Sequence, residues 1–182
     1  KRALSDTGAF RRRLLVSESV FSMDGDVAPL AILAELADTY DAILVVDEAH
    51  ALGVVGPGGR GVAAQNGVEP DVVVGTLGKA FGAAGGFATG SRALCDYLVN
   101  RARTFVFTTA QPPALAAAAE AGVRLALGPV GEERRARLDA NRRHLVARMD
   151  GRVEVPPAAI LPVDVGSNAR ALGASATLRR GG

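Results

Sequence analysis

Five consecutive apolar residues, Ala42-Ile43-Leu44-Val45-Val46, run straight into Asp47-Glu48-Ala49-His50. The run is short and rich in β-branched side chains, so it predicts a strand rather than a helix. Unbroken apolarity, instead of alternation, is the pattern of a parallel strand covered on both faces. Parallel strands need crossover segments, and candidates flank this one. Residues 12–16 end in Leu14-Leu15-Val16 and predict an earlier strand. Residues 17–26 predict a loop with a turn at Asp24-Gly25-Asp26. Residues 29–40 predict a helix, with Pro29 in its first turn and Leu30, Leu33, Ala34, Ala37 and Tyr40 at helical spacing. Asp41 ends it.

Further along, 53–61 is a glycine-rich loop, and strands are expected over 71–74, 85–89, 105–107 and 158–165. Helices are expected over 92–103, 112–127, 131–149 and 168–178. The alternation predicts an α/β fold, a mostly parallel sheet flanked by helices. Gly151, Pro156 and Pro157 cluster where a boundary would fall, giving one domain over 1–150 and the start of a second over 151–182.

In open parallel sheets, ligands sit beyond the carboxyl ends of the strands. Asp47 lies at such an end. So does Gly75-Thr76-Leu77-Gly78-Lys79-Ala80-Phe81-Gly82, whose Lys79 is the only lysine after Lys1. The loop with Ser22 follows the first expected strand. An acid, a histidine and a lysine converging there match the needs of pyridoxal phosphate. Its aldehyde needs an amine, which Lys79 offers. Its pyridine nitrogen needs a buried carboxylate to stay protonated, and Asp47 fits. Its ring hydroxyl needs a partner, for which His50 and Ser22 are candidates. Its phosphate needs N–H groups and hydroxyls, and Thr76 stands three residues before Lys79. Each residue also has a plainer use: a strand-end Asp caps turns, a lone His is more often a structural hydrogen-bonder, and a lone lysine is commonly solvated. The ordered set, with glycines around the lysine, favours the cofactor reading.

Two motifs compete. Asp47-Glu48-Ala49-His50 after an apolar strand is also the signature of one helicase class, in which the acids hold Mg²⁺. That class needs an earlier G-x-x-x-x-G-K-[ST] loop, and this sequence has none. Gly56-x-Gly58-x-x-Gly61 matches a dinucleotide fingerprint by letters. It contains Pro57, does not directly follow a strand and lacks an acid about 20 residues on.

Composition narrows the partners. Aromatic residues make up 4% with no Trp, which argues against a stacking platform for single-stranded nucleic acid. A net charge of +2 does not call for a polyanion. Cys95 is the single cysteine, so neither disulfides nor a cysteine-based zinc site is expected, and a reducing cytosol is the natural setting. Cys95 itself reads as a small buried hydrophobe. No apolar run approaches a membrane span. Arg134, Arg135, Arg137, Arg142 and Arg143 alternate with Glu132, Glu133 and Asp139 and read as a solvated helix face; His144 has no partner in sequence.

The stretches 18–30 and 46–53, the segment 75–82, and Phe107-Thr108-Thr109-Ala110-Gln111-Pro112-Pro113-Ala114 together resemble the α-oxoamine synthase family of fold-type-I pyridoxal-phosphate enzymes. Order and spacing match from about residue 14 to the end. The resemblance implies a fold-type-I large domain over 1–150 and the start of a small C-terminal α/β domain over 151–182. It implies that Lys79 carries the cofactor and later moves the substrate α-proton, and that Asp47 pairs with the pyridine nitrogen. His50 and Ser22 would lie near the ring hydroxyl and Thr76 near the phosphate, with Glu18 behind them. A hydroxyl at Thr108 or Thr109 would reach the phosphate across a dimer interface, so a homodimer is implied.

The implied reaction is a decarboxylative Claisen condensation of an amino acid with an acyl-CoA, in a cytoplasmic enzyme. The tail 160–172 resembles the biotin-synthesis branch, which takes L-alanine and pimeloyl-CoA or its carrier-protein thioester. The segment 75–82 and Phe107-Thr108-Thr109 resemble the 5-aminolevulinate synthase branch as much, and the glycine C-acetyltransferase branch remains open. Family chains extend past both ends, including a glycine-containing phosphate loop, a ring-stacking histidine and a carboxylate-binding arginine. The chain alone is therefore expected to be a poor catalyst or none, a non-catalytic piece being the alternative.

Overall fold

A computed structural model describes residues 4, 10–149, 155 and 158–181. Its centre is a sheet of β1 (Arg13–Glu18), β2 (Ala42–Asp47), β3 (Val72–Thr76) and β4 (Gly86–Gly90), in that spatial order. β1 and β2 run parallel, with Leu14 opposite Ile43 and Glu18 opposite Asp47. β2 and β3 are also parallel, with Asp47 opposite Val74. β4 returns antiparallel to β3, with Thr76 opposite Gly86. Glu18, Asp47 and Thr76 therefore all end at the same rim.

Seven α-helices lie around these strands among the described residues, α1 (Leu30–Thr39), α2 (Gly61–Asn66), α3 (Arg92–Arg101), α4 (Arg103–Val106), α5 (Pro113–Leu127), α6 (Pro129–Ala147) and α7 (Asn168–Arg180), with one 3-10 turn at Pro57–Gly59. The crossover α1 begins just after Pro29 and buries Leu30 and Ala37, with Leu33 and Ala34 packed beside them. That i, i+3, i+4, i+7 stripe is what the sequence spacing requires. Asp41 then adopts a left-handed φ of 49° and turns the chain into β2.

The core lies on one face of the sheet. Leu44 and Val46 are 3% and 0% exposed and join Leu30, Ala37, Val62 and Ala63 in one cluster. The opposite face differs from expectation. Ile43 and Val45 are half-buried, and their register neighbours Leu14 and Val16 are 61% and 66% exposed. Both α1 and α2 sit against the Leu44–Val46 side, and no helix among the described residues covers β1 on the other.

Leu30 is fully buried in this cluster. Leu30→Ala is expected to cost about 2–5 kcal/mol, read as a lowered urea midpoint at unchanged slope.

Other sequence expectations are corrected too. Cys95 is half-buried, not buried. Residues 105–107 are not a strand: Ala102 is extended, and Arg103–Val106 then closes the single helical turn α4. A three-residue apolar run carries no periodicity to tell the two apart. Residues 158–165 are a loop without ladder pairing. Pro162 removes a donor from that segment, and its anchoring comes from Ala158, which is fully buried in the core. The α6 arginines are not all solvated. Arg135 and Arg142 have side chains only 12% and 13% exposed. Their guanidiniums donate to the Ala126 and Ala158 carbonyls, each at 2.8 Å. The proposed boundary over 151–157 lies, except for Val155, outside the described residues.

Candidate active site

The ladder continues one step past the ends of β1 and β2. Ser19 N–H donates to Asp47 O, and Glu48 N–H donates to Val74 O, both at 2.8 Å. The chain then folds into a tight turn in which Ala51 and Leu52 N–H both donate to Glu48 O at 2.9 Å. This turn carries His50 towards the loop after β3.

That loop is pinned at its base. Thr76 Oγ1 accepts from Gly78 N–H at 3.1 Å and donates to Gly85 O at 3.3 Å. Leu77 N–H donates to Gly85 O, and Ala83 N–H to Leu77 O, both at 2.8 Å. Gly82 N–H donates to Lys79 O at 3.0 Å. The exposed Lys79 side chain stands at the tip, with Nζ 2.8 Å from Nε2 of His50. Either a neutral imidazole accepts from an ammonium, or its Nε2–H donates to a free amine. From behind, the loop rests on α5, where Gly122 leaves room for the Phe81 carbonyl: a Cβ there would lie 2.1 Å from Phe81 O.

Asp47 is half-buried, and Oδ1 accepts from Ala49 N–H at 2.8 Å. Among the described residues that is its single side-chain bond, and Oδ2 makes none. Glu18 stands beside it in register on β1. The structure thus gathers Asp47, His50, Thr76 and Lys79 at the ends of β2 and β3. Ser22 lies in an exposed turn after β1. Thr108 and Thr109 are exposed beyond α4, where Thr108 Oγ1 donates to Thr104 O. No bond joins these three to the Lys79 loop among the described residues.

Sequence reasoning overlooked Glu48, having placed it only in the acid pair of a nucleotide motif. Its side chain points the other way from Asp47, into the core. It is 1% exposed and accepts from Ser19 Oγ at 2.7 Å, Val62 N–H at 3.1 Å and Ala63 N–H at 2.7 Å. The signal was available: adjacent residues leaving a strand point to opposite faces. Turned inward, Glu48 cannot share a cation with Asp47. No cluster of three or more His, Cys, Asp or Glu suited to a metal occurs among the described residues.

This lysine-bearing loop beside a strand-end acid defines a class. Residues 1–180 match the aminotransferase class I and II family model, and the chain belongs to that family. Its curated relatives narrow the likeness. It is 46% identical over 189 residues to 8-amino-7-oxononanoate synthase of Ralstonia pickettii, covering 99% of this chain and 46% of that one. It is 50% identical over 143 residues to the synthase of the same name from Citrifermentans bemidjiense, covering 78% and 37%. The chain thus spans less than half the length of these relatives.

Among solved structures, the serine palmitoyltransferase of S. paucimobilis with a bound PLP–myriocin aldimine superimposes at a TM-score of 0.87 and 33% identity, covering 93% of this chain and 45% of that one. Crystalline 8-amino-7-oxononanoate synthase from Francisella tularensis gives 0.77 and 26%, covering 99% and 54%. The fold is that of part of a fold-type-I pyridoxal-phosphate enzyme.

Proposed function

We propose that this chain is the central part of a pyridoxal-phosphate-dependent synthase that condenses L-alanine with pimeloyl-CoA, or its carrier-protein thioester, in biotin synthesis. The balance is an amino acid plus an acyl thioester giving an α-aminoketone, CO₂ and the free thiol. The observation that carries the reading is the 2.8 Å approach of Lys79 Nζ to His50 just beyond Asp47, in a chain whose compared relatives bear the synthase name.

The residues fit the cofactor. Lys79 offers the single interior amine, and Asp47 has an oxygen left for a pyridinium N–H. His50 and Ser22 would serve the ring hydroxyl, and Thr76 the phosphate, with Thr108 or Thr109 reaching it from a second copy in a homodimer. Bound pyridoxal phosphate would supply an electron sink for a carbanion at the amino-acid α-carbon. Lys79 would hold the cofactor and then, once free, take the α-proton; His50, in contact with Nζ, is placed to accept or return a proton there. Thr76 has a further duty, since its hydroxyl already braces the base of the loop. We read 1–150 as large domain and 151–182 as the opening of a smaller one, in a cytoplasmic enzyme. No single helix among the described residues is long and apolar enough to cross a membrane.

The test is CO₂ release from carboxyl-labelled L-alanine by the protein encoded by the whole reading frame, with and without pimeloyl-CoA. Release dependent on both supports the reading. Preference for glycine or L-serine, or for another acyl-CoA, would move the chain to a sister enzyme. The 182-residue chain alone is expected to take up cofactor but turn over slowly or not at all.

Asp47→Ala removes the proposed partner of the ring nitrogen. Loss of one charge-assisted hydrogen bond, roughly 1.5–3 kcal/mol, should weaken cofactor retention by about 10–100-fold in equilibrium dialysis. Retention unchanged in that variant would remove Asp47 from the site.

A further inference from the structure

We propose that Glu48 is a positioning residue, whose buried carboxylate fixes the turn between Asp47 and His50 so that His50 meets Lys79. The proposal rests on the reading of Lys79 given above. Glu48 joins three elements at once. Its carboxylate accepts from Ser19, just past β1, at 2.7 Å, and from the first turn of α2, through Val62 N–H at 3.1 Å and Ala63 N–H at 2.7 Å. Its N–H binds β3 through Val74 O at 2.8 Å, and its carbonyl closes the turn through Ala51 and Leu52 N–H at 2.9 Å.

Filling space does not explain it. Burying a carboxylate is costly, and an apolar side chain of similar volume is commonly no less stable. The surroundings are shaped to the carboxylate. Gly61 has φ +94°, and a Cβ there would stand 2.7 Å from the Glu48 carboxyl carbon. What the carboxylate adds is direction. Three donors on two elements leave one orientation for residue 48, and hence for the neighbours on either side. One of these, Asp47, points to the opposite face; two residues on, His50 reaches Lys79 at 2.8 Å.

The experiment uses Glu48→Leu, Glu48→Gln and Leu30→Ala in the full-length protein. Leu30→Ala is a core variant, included to match the stability loss without removing any hydrogen bond of the turn. One readout is the His50 imidazole resonance, assigned by its loss in His50→Gln. The second is the rate of Lys79 modification, by pyridoxal phosphate with borohydride and separately by acetic anhydride, mapped by peptide mass. Glu48→Leu should shift the His50 resonance and slow Lys79 modification by about 10–100-fold, the size expected when a reacting group is misplaced by roughly 1 Å. Glu48→Gln keeps the length and one acceptor oxygen, so it should recover part of both. Leu30→Ala should change neither, whatever its melting temperature. The proposal fails if both Glu48 variants leave His50 and Lys79 as in the parent. It fails equally if Leu30→Ala reproduces their changes. Should the parent take no pyridoxal phosphate at Lys79, the cofactor reading falls, while the His50 resonance and the acetylation rate still decide the role of Glu48.

Discussion

Lys79→Ala abolishes covalent capture of pyridoxal phosphate: after borohydride reduction, intact mass should show no added cofactor beyond what the amino terminus and Lys1 acquire. The expectation is all-or-none because Lys79 is the single lysine after position 1. No second amine can replace it. His50 approaches Nζ at 2.8 Å, but an imidazole forms no stable Schiff base with the aldehyde. Lys79→Arg should behave like the alanine variant, since a guanidinium stays protonated and is no nucleophile. Capture that persists in the alanine variant, mapped to a residue other than Lys1, would remove the proposed site.

Gly122→Ala should be nearly as damaging, although Gly122 is no part of the chemistry. Alanine within a helix normally gains about 0.5–1 kcal/mol over glycine. Here the added methyl would lie 2.1 Å from Phe81 O, a backbone atom that no rotamer change can move aside. Overpacking of this kind costs about 1–3 kcal/mol, so the clash outweighs the helix gain. The strain falls on residues two positions from Lys79. The expected result is a lowered melting temperature together with slower Lys79 capture. Gly173→Ala in α7 is the matched comparison, because nothing lies within 4 Å of its added methyl. That variant should raise stability, by the propensity difference alone. If both substitutions behave alike, the α5 contact does not support the loop.

Much of this was readable from residues alone. The apolar run before Asp47 announced β2, and the spacing of Leu30, Leu33, Ala34 and Ala37 announced α1, because both signals are local and periodic. Asp47, His50, Thr76 and Lys79 were legible as a group since each ends or follows a strand, and parallel strands end at a common rim. Ser22 entered from its loop after the first expected strand, Thr108 and Thr109 by family likeness, and among the described residues no hydrogen bond joins these three to that group. What stayed hidden depended on partners distant in sequence. The short helix α2 (Gly61–Asn66) is too brief to show a stripe and owes its place to Glu48, fourteen residues earlier (62 − 48 = 14) at the Val62 contact. Arg135 and Arg142 look like surface charge until the Ala126 and Ala158 carbonyls are brought to them. The 105–107 segment reads as β by composition, yet Phe105 and Val106 close the single helical turn α4 and Phe107 caps it.

The bare side of the sheet has a practical meaning. Leu14 and Val16 display greasy surface there, next to the outer rim of β1, which has no strand beside it among the described residues. Such a rim is a template for adhesion between copies. Preparations of this length should therefore cloud at high concentration and clear with mild detergent, whether or not the vitamin-derived cofactor is supplied.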